Sequence, residues 1–313
     1  MKRVGKYKYG EFGFWWTNLQ GNEDIDGKDY EGDLSCPVHL KSLYGCPRKV
    51  KGCFDFSCCR LTDLRYAPKI VDGDVDGQSC DCLKSLKGGP EYVSGDYKCD
   101  SCPMLKTLEG SPVYVGGNFR CGDYFSGLQS LKGSPRFVGG DFSCWRGKRL
   151  LSLKGSPVYV GGDYECSFNH KLKSLKGATA IIGGSFHCSM CEGLVDLNGS
   201  PRLVGENFWC GECFNLKSLE GAPDYVGGDF GCTFCSNLVS LKGAPRYVGK
   251  SFGCNNSSVE TLKGGPRYVG GDFDFSSCRM LKSADGIGEV KGKIIGSVES
   301  VNESFVVLSA HKN

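Results

Sequence analysis

Leu216–Asn237 reads LKSLEGAPDYVGGDFGCTFCSN, and this stretch decides the fold. Gly227 and Gly228 mark a turn, where positive φ is expected. Phe230 and Cys232 then alternate with Asp229, Gly231 and Thr233, the period-two signature of a short strand. Leu216 and Leu219 are spaced for a tight bend, and Gly221 and Pro223 punctuate the return path. A segment this short cannot bury its own apolar edge, so it must stack on copies of itself.

The copies are present. The first Leu of Leu-x-Ser-Leu-x-Gly-x-Pro falls at Leu40, Leu61, Leu83, Leu105, Leu128, Leu150, Leu172, Leu194, Leu216 and Leu238, with Val259 and Leu281 continuing the column. The period is 22 residues, with single-residue departures, and it runs from about residue 30 to 296. Such a period predicts a β-rich solenoid: a right-handed stack of about twelve coils with one parallel sheet, closed by short capping segments. The domain reading is an N-terminal cap over 1–29, the solenoid over 30–296 and a C-terminal cap over 297–313. Phe12, Phe14, Trp15 and Trp16 are expected to supply apolar surface for the first cap.

Bulk composition agrees with this reading. Glycine is abundant, with 47 of 313 residues, as expected where tight turns recur at fixed places. The formal net charge of +3 is too small to imply nucleic acid or a membrane surface. The opening MKRVGKYKYGEFGFWW has no apolar signal region, and no stretch approaches membrane-spanning length. The chain is therefore expected to stay in the cytoplasm, with its 20 cysteines mostly reduced.

The strand half resembles the leucine-rich-repeat pattern. Phe230 and Cys232 take two strand Leu positions, Cys235 takes the Asn/Cys position, and Leu238 follows at the spacing of the cysteine variant. LKSLKGAP is similar to a run in bacterial effector repeats. The whole L-x-S-L-x-G-x-P-x-x-V-G-G-D-F-x-C unit resembles Cys-rich arrays in largely uncharacterised tailed-phage and large-virus proteins. Phe, Tyr and Cys stand where Leu is usual, which bears on curvature rather than on the stack. The resemblance implies a partner-binding solenoid that binds a host protein by occlusion or recruitment in the infected cytoplasm.

The cysteines sort into columns. An inward strand column holds Cys99, Cys121, Cys144, Cys166, Cys188, Cys210, Cys232 and Cys254, among others. Three residues later a second column holds Cys102, Cys191, Cys213, Cys235 and others, and there His39, Asn169 or Ser257 can stand instead. That exchange predicts a small polar group bonding to the turning backbone. A reduced structural ladder is the favoured reading, because stacked side chains run parallel whereas zinc needs four converging thiolates. Disulfides and metal stay open as alternatives, most of all across the CxxC coils from Cys188 to Cys235. No cofactor is expected.

The sheet face is the expected binding surface. Its outward positions vary within a fixed frame, and aromatic residues and Arg are favoured at interface cores. Trp145, Arg146, Phe168, His187, Met190, Trp209, Glu212 and Phe234 are the candidate partner-binding residues. An Asp column (Asp163, Asp229 and Asp272 among others) is expected to cap turns rather than bind calcium. Lysines flanking Leu-x-Ser-Leu, such as Lys87, Lys132, Lys154 and Lys242, would stack into basic stripes. These read as a solvated face before a phosphate track.

No P-loop, dinucleotide fingerprint, nucleophile elbow or HExxH is present, and His39, His170, His187 and His311 sit in no known motif. The expectation is a non-enzyme that binds another protein. A structural component of a virus particle is the first alternative, and a nucleic-acid-binding solenoid the second.

Overall fold

The computed structural model describes residues 6–10, 13–17, 29–123 and 125–298. Among them the chain is a β-solenoid of about twelve coils with parallel sheets and no helix. It forms two compact units, Met1–Arg149 with Gly155–Val160, and Leu150–Lys154 with Gly161–Asn313. The caps expected over 1–29 and 297–313 lie almost wholly outside the described residues. The exception is an antiparallel strand pair, Lys6–Gly10 with Gly13–Thr17.

Each coil contributes the expected Phe-type strand and also a second one. In the second unit Phe186–His187, Phe208–Trp209, Phe230–Gly231, Phe252–Gly253 and Phe273–Asp274 pair in parallel, coil to coil. We call this the Phe sheet. Ending four residues before each Phe strand lies a second strand, such as Tyr225–Val226 or Leu203–Val204, and these pair likewise into a Val sheet. The first unit repeats the arrangement, with Tyr97–Lys98, Phe119–Arg120 and Phe142–Ser143 in one sheet and Tyr92–Val93, Tyr114–Val115, Phe137–Val138 and Tyr159–Val160 in the other.

The core is built by columns. Val226, Phe230, Cys232, Cys235, Leu238 and Leu241 are at most 1% exposed, and equivalents in neighbouring coils stack directly on them. Phe208, Phe230 and Phe252 stack with ring centroids 5.0 and 5.3 Å apart, matching the inter-strand spacing. Stacking in register is therefore enforced by backbone and side chain together. A one-residue slip would turn each buried Phe outward.

Glycine works differently from the sequence expectation. Gly227 and Gly228 do not adopt positive φ; the positive-φ glycine of this coil is Gly221, at +88°. The Gly-Gly pair is required by the stack instead. A Cβ on Gly227 would collide with the Gly205 carbonyl of the preceding coil, and one on Gly228 with the Asn207 side chain.

The Asp column is a polar ladder, as expected of a structural role, although it bridges coils rather than capping its own turn. Asp163 accepts the Ser185 N–H at 2.7 Å, Asn207 the Asp229 N–H at 2.8 Å, and Asp229 the Ser251 N–H at 2.8 Å. Each side chain satisfies the backbone donor that follows the turn one coil on, Gly-Gly before Ser185 and Asp229 and Gly-Lys before Ser251, where an unpaired N–H would be costly.

Candidate functional site

Within the second unit, two adjacent columns carry His187, Trp209, Phe168, Met190, Glu212 and Phe234. The first is the outward position of the Phe sheet, where the core Phe points in and the next residue points out. His187 and Trp209 occupy it on neighbouring strands, in direct register. His187 Nε2 lies 4.0 Å from an Asp163 oxygen. Trp209 is half-buried because its ring leans over the next strand, into the space a Gly231 side chain would fill.

The second column is the turn inside the C-x-x-C segment. Phe168, Met190, Glu212 and Phe234 fall on successive coils of the second unit. The N–H of Phe168, Met190, Glu212 and Phe234 donates to the carbonyl of Ser189, Gly211, Thr233 and Asn255 respectively, at 2.8 to 3.1 Å. This bonding fixes the four turns one above another. Phe234 is 52% exposed, and the other three are half-buried. Trp145 and Arg146 belong to the first unit, where the Arg146 guanidinium lies 4.4 Å from the centre of the Trp145 ring.

The turn column has a property invisible in the sequence. Its residues take left-handed backbone: φ is +55° at Arg146, +61° at Phe168, +54° at Met190, +56° at Glu212 and +58° at Phe234. His39, Cys58, Ser79, Ser101, Asn256 and Ser277 continue the column with φ between +54° and +72°. Each such residue costs about 1–2 kcal/mol relative to right-handed backbone. The same coils have another left-handed position, and there glycine stands: Gly155, Gly177, Gly199, Gly221 and Gly243. Glycine thus relieves one left-handed column, while varied side chains are kept in the other.

The cysteine columns lie beneath this edge. The Sγ of Cys191, Cys213 and Cys235 donates to the carbonyl of Cys166, Cys188 and Cys210, at 3.3, 3.2 and 3.4 Å. Ser257 makes the same bond, to Cys232 O at 3.1 Å, which explains why it exchanges with Cys, while Asn169 donates within its own coil to Cys166 O at 2.7 Å. Burial pushes the Cys191 and Cys235 thiols up to about 12, so they hold their protons. The cysteines are free thiols in the structure. Among the described residues no group of three or more His, Cys, Asp or Glu is arranged to hold a metal ion.

The basic stripes are interrupted by carboxylates. Glu109 pairs with Lys87 at 3.3 Å and Lys132 at 2.6 Å, and Glu220 pairs with Lys242 at 2.6 Å. Exposed pairs of this kind add little stability, but they reduce the field a phosphate chain would meet. Among the described residues no helix is long and apolar enough to cross a membrane.

One surface escaped the sequence reading. The residue before each buried Val of the Val sheet points outward, and it is large and apolar in most coils. In the first unit Tyr92, Tyr114, Phe137 and Tyr159 are 38–44% exposed, and in the second Ile181, Leu203, Tyr225 and Tyr247 are 37–53% exposed. Tyr225 and Tyr247 stack at 5.0 Å with planes 4° apart, so each covers the other's face and offers solvent its edge. The recurring aromatic before Val was the available signal. A strand of two residues cannot bury both.

Comparison of the chain with protein-family profiles, with curated proteins and with solved structures returns no match to any of the three.

Proposed function

We propose that the chain is a recognition solenoid, which binds another protein through the outward face of the Phe sheet and the left-handed turns along its edge. The observation that carries this reading is the contrast between the two left-handed columns. One is glycine in nearly every coil, so glycine is available to this repeat wherever backbone strain is the only concern. The other keeps Arg146, Phe168, Met190, Glu212 and Phe234 at a conformational cost. Strained side chains that are retained and varied mark a place where the side chain itself is used. Aromatic, Met and Arg residues are also those favoured at interface cores.

Binding is the whole of the proposed activity, with no catalytic step. The resemblance of the repeat to phage and large-virus arrays supports a finer reading, in which the chain is virus-encoded and its partner is a host protein in the cytoplasm. Affinity capture from host lysate tests both levels, with wild type beside a Trp145→Ala/Trp209→Ala variant. The expected result is one host protein retained by wild type and lost by the variant. Equal capture by both would remove the sheet face as the site. No specific capture, with the chain present in purified particles, would overturn the host-binding reading.

A further inference from the structure

Along the outward column of the Phe sheet, consecutive strands of the second unit present His187, Trp209, Gly231, Gly253 and Asp274 in register. Gly231 has an internal reason to be glycine, because the Trp209 ring fills the place of its side chain. Gly253 has none. Its φ is not in the left-handed range, and a Cβ there would meet only Asn255 Oδ1 at 3.5 Å and Thr233 Cγ2 at 3.6 Å, both ordinary contacts. The glycines of the Gly-Gly turns, by contrast, face neighbouring backbone or the side chains of the Asp column.

A groove of about 340 Å³ lies over Gly253, beside the Trp209 ring that covers Gly231. Trp209 stands toward one end and Ile295, one strand beyond Asp274, toward the other, with Asp229 and Asp272 also in the lining. The lining holds three carboxylates and no Lys, Arg or His. One oxygen of each carboxylate is held by a backbone N–H: Asp229 by Ser251 at 2.8 Å, Asp272 by Lys293 at 2.7 Å and Asp274 by Ser276 at 2.8 Å. The fold itself therefore orients the acidic lining.

We propose that this groove receives the guanidinium of an arginine on the partner protein. The inference rests on the reading that this face binds a protein, and it names the chemistry the face selects. A guanidinium is planar, weakly hydrated and always charged, and it stacks on an indole while its fork of N–H donors reaches carboxylates. A flat glycine floor beside an indole, bounded by oriented carboxylates, matches each of those properties. An ammonium is a compact and strongly hydrated point charge that gains less from the flat floor.

The test is a titration of the intact chain with acetyl-Gly-Arg-Gly-amide, followed by the indole N–H resonance of Trp209. A Trp209→Phe variant assigns that signal among the four tryptophans. Citrulline and lysine versions of the peptide serve as comparisons, and Gly253→Ala places a methyl group on the floor of the groove. The expected result is a saturable shift with arginine, weakened about tenfold or more by citrulline, by lysine and by Gly253→Ala. Gly253→Ala should keep the thermal midpoint of wild type, so its loss of binding is not loss of fold. Absence of a saturable arginine shift overturns the proposal, as does citrulline binding equally or Gly253→Ala binding as wild type does. Lysine binding as tightly as arginine overturns the assignment to a guanidinium. Partner capture that depends on Trp145 and Trp209 but not on Gly253 overturns the groove and leaves the wider face standing.

Discussion

Replacing Gly227 by alanine should break the stack where the same change at Gly253 should not. At Gly227 the added Cβ falls well inside contact with Gly205 O, and 3.0 Å from Gly205 C. The obstacle is backbone, so no rotamer relieves it. Ordinary contact requires the two coils to part by roughly an ångström, which is far into the loss region of the dispersion well. Two bonds span that gap, Gly227 N–H to Val204 O at 3.0 Å and Gly228 N–H to Glu206 O at 2.7 Å. Losing both costs about 2 kcal/mol, and overpacking adds about 1–3 kcal/mol. The total is about 3–5 kcal/mol. Gly253→Ala meets no such obstacle and should leave stability unchanged or raise it by about 0.5–1 kcal/mol. Denaturant unfolding of the two variants beside wild type measures the difference. Hydrogen exchange at residues 204–228 shows whether the loss is local, as expected where each coil contacts only its neighbours. Gly227→Ala within about 1 kcal/mol of wild type would refute the coil-to-coil register on which the account depends.

Two further predictions concern the thiols. Cys235→Ser keeps the donor to Cys210 O, as Ser257 does for Cys232 O, and should cost less than about 1 kcal/mol, whereas Cys235→Ala loses the bond and leaves a void, costing about 1–3 kcal/mol in the same unfolding assay. Stability should also fall in alkali. Cys191 and Cys235 are pushed up to about 12 in the folded chain, against roughly 8.5 for unfolded thiols. The unfolded state thus releases protons first, so the stabilisation is complete below about pH 8.5 and is lost as pH rises toward 12. Unfolding midpoints measured from pH 8 to 11 should decline, and a Cys191→Ser/Cys235→Ser variant should decline less; equal slopes would contradict the assignment.

Much of the solenoid was legible because its columns repeat: Phe230, Cys232, Leu238 and Leu241 recur every 22 residues, and only stacking buries them. The second strand was not, since Tyr225–Val226 is too short to show alternation. Gly227 and Gly228 were readable as a turn but not as a close approach, because the obstacle belongs to the coil 22 residues earlier. Seven of the eight candidate residues could be named as variable aromatic, Met, Arg or Glu positions along the strand and turn, and His187 as their neighbour. Their left-handed backbone could not, because no glycine marks it: Phe168 and Phe234 are poor residues for positive φ. The groove was hidden for a related reason. It lies over Gly253, where no side chain stands, beside the Trp209 ring that covers Gly231.

The central claim is that the left-handed turn column is kept for recognition and not for folding. The most direct measurement replaces Phe168, Met190, Glu212 and Phe234 together by glycine, then records the thermal midpoint and partner capture side by side. Relief of left-handed strain, about 1–2 kcal/mol per site, offsets the lost side-chain contacts and the added chain entropy, so the midpoint should stay near that of wild type while capture disappears. Intact capture, or collapse of the fold with the column removed, would contradict the claim and make these side chains part of the scaffold.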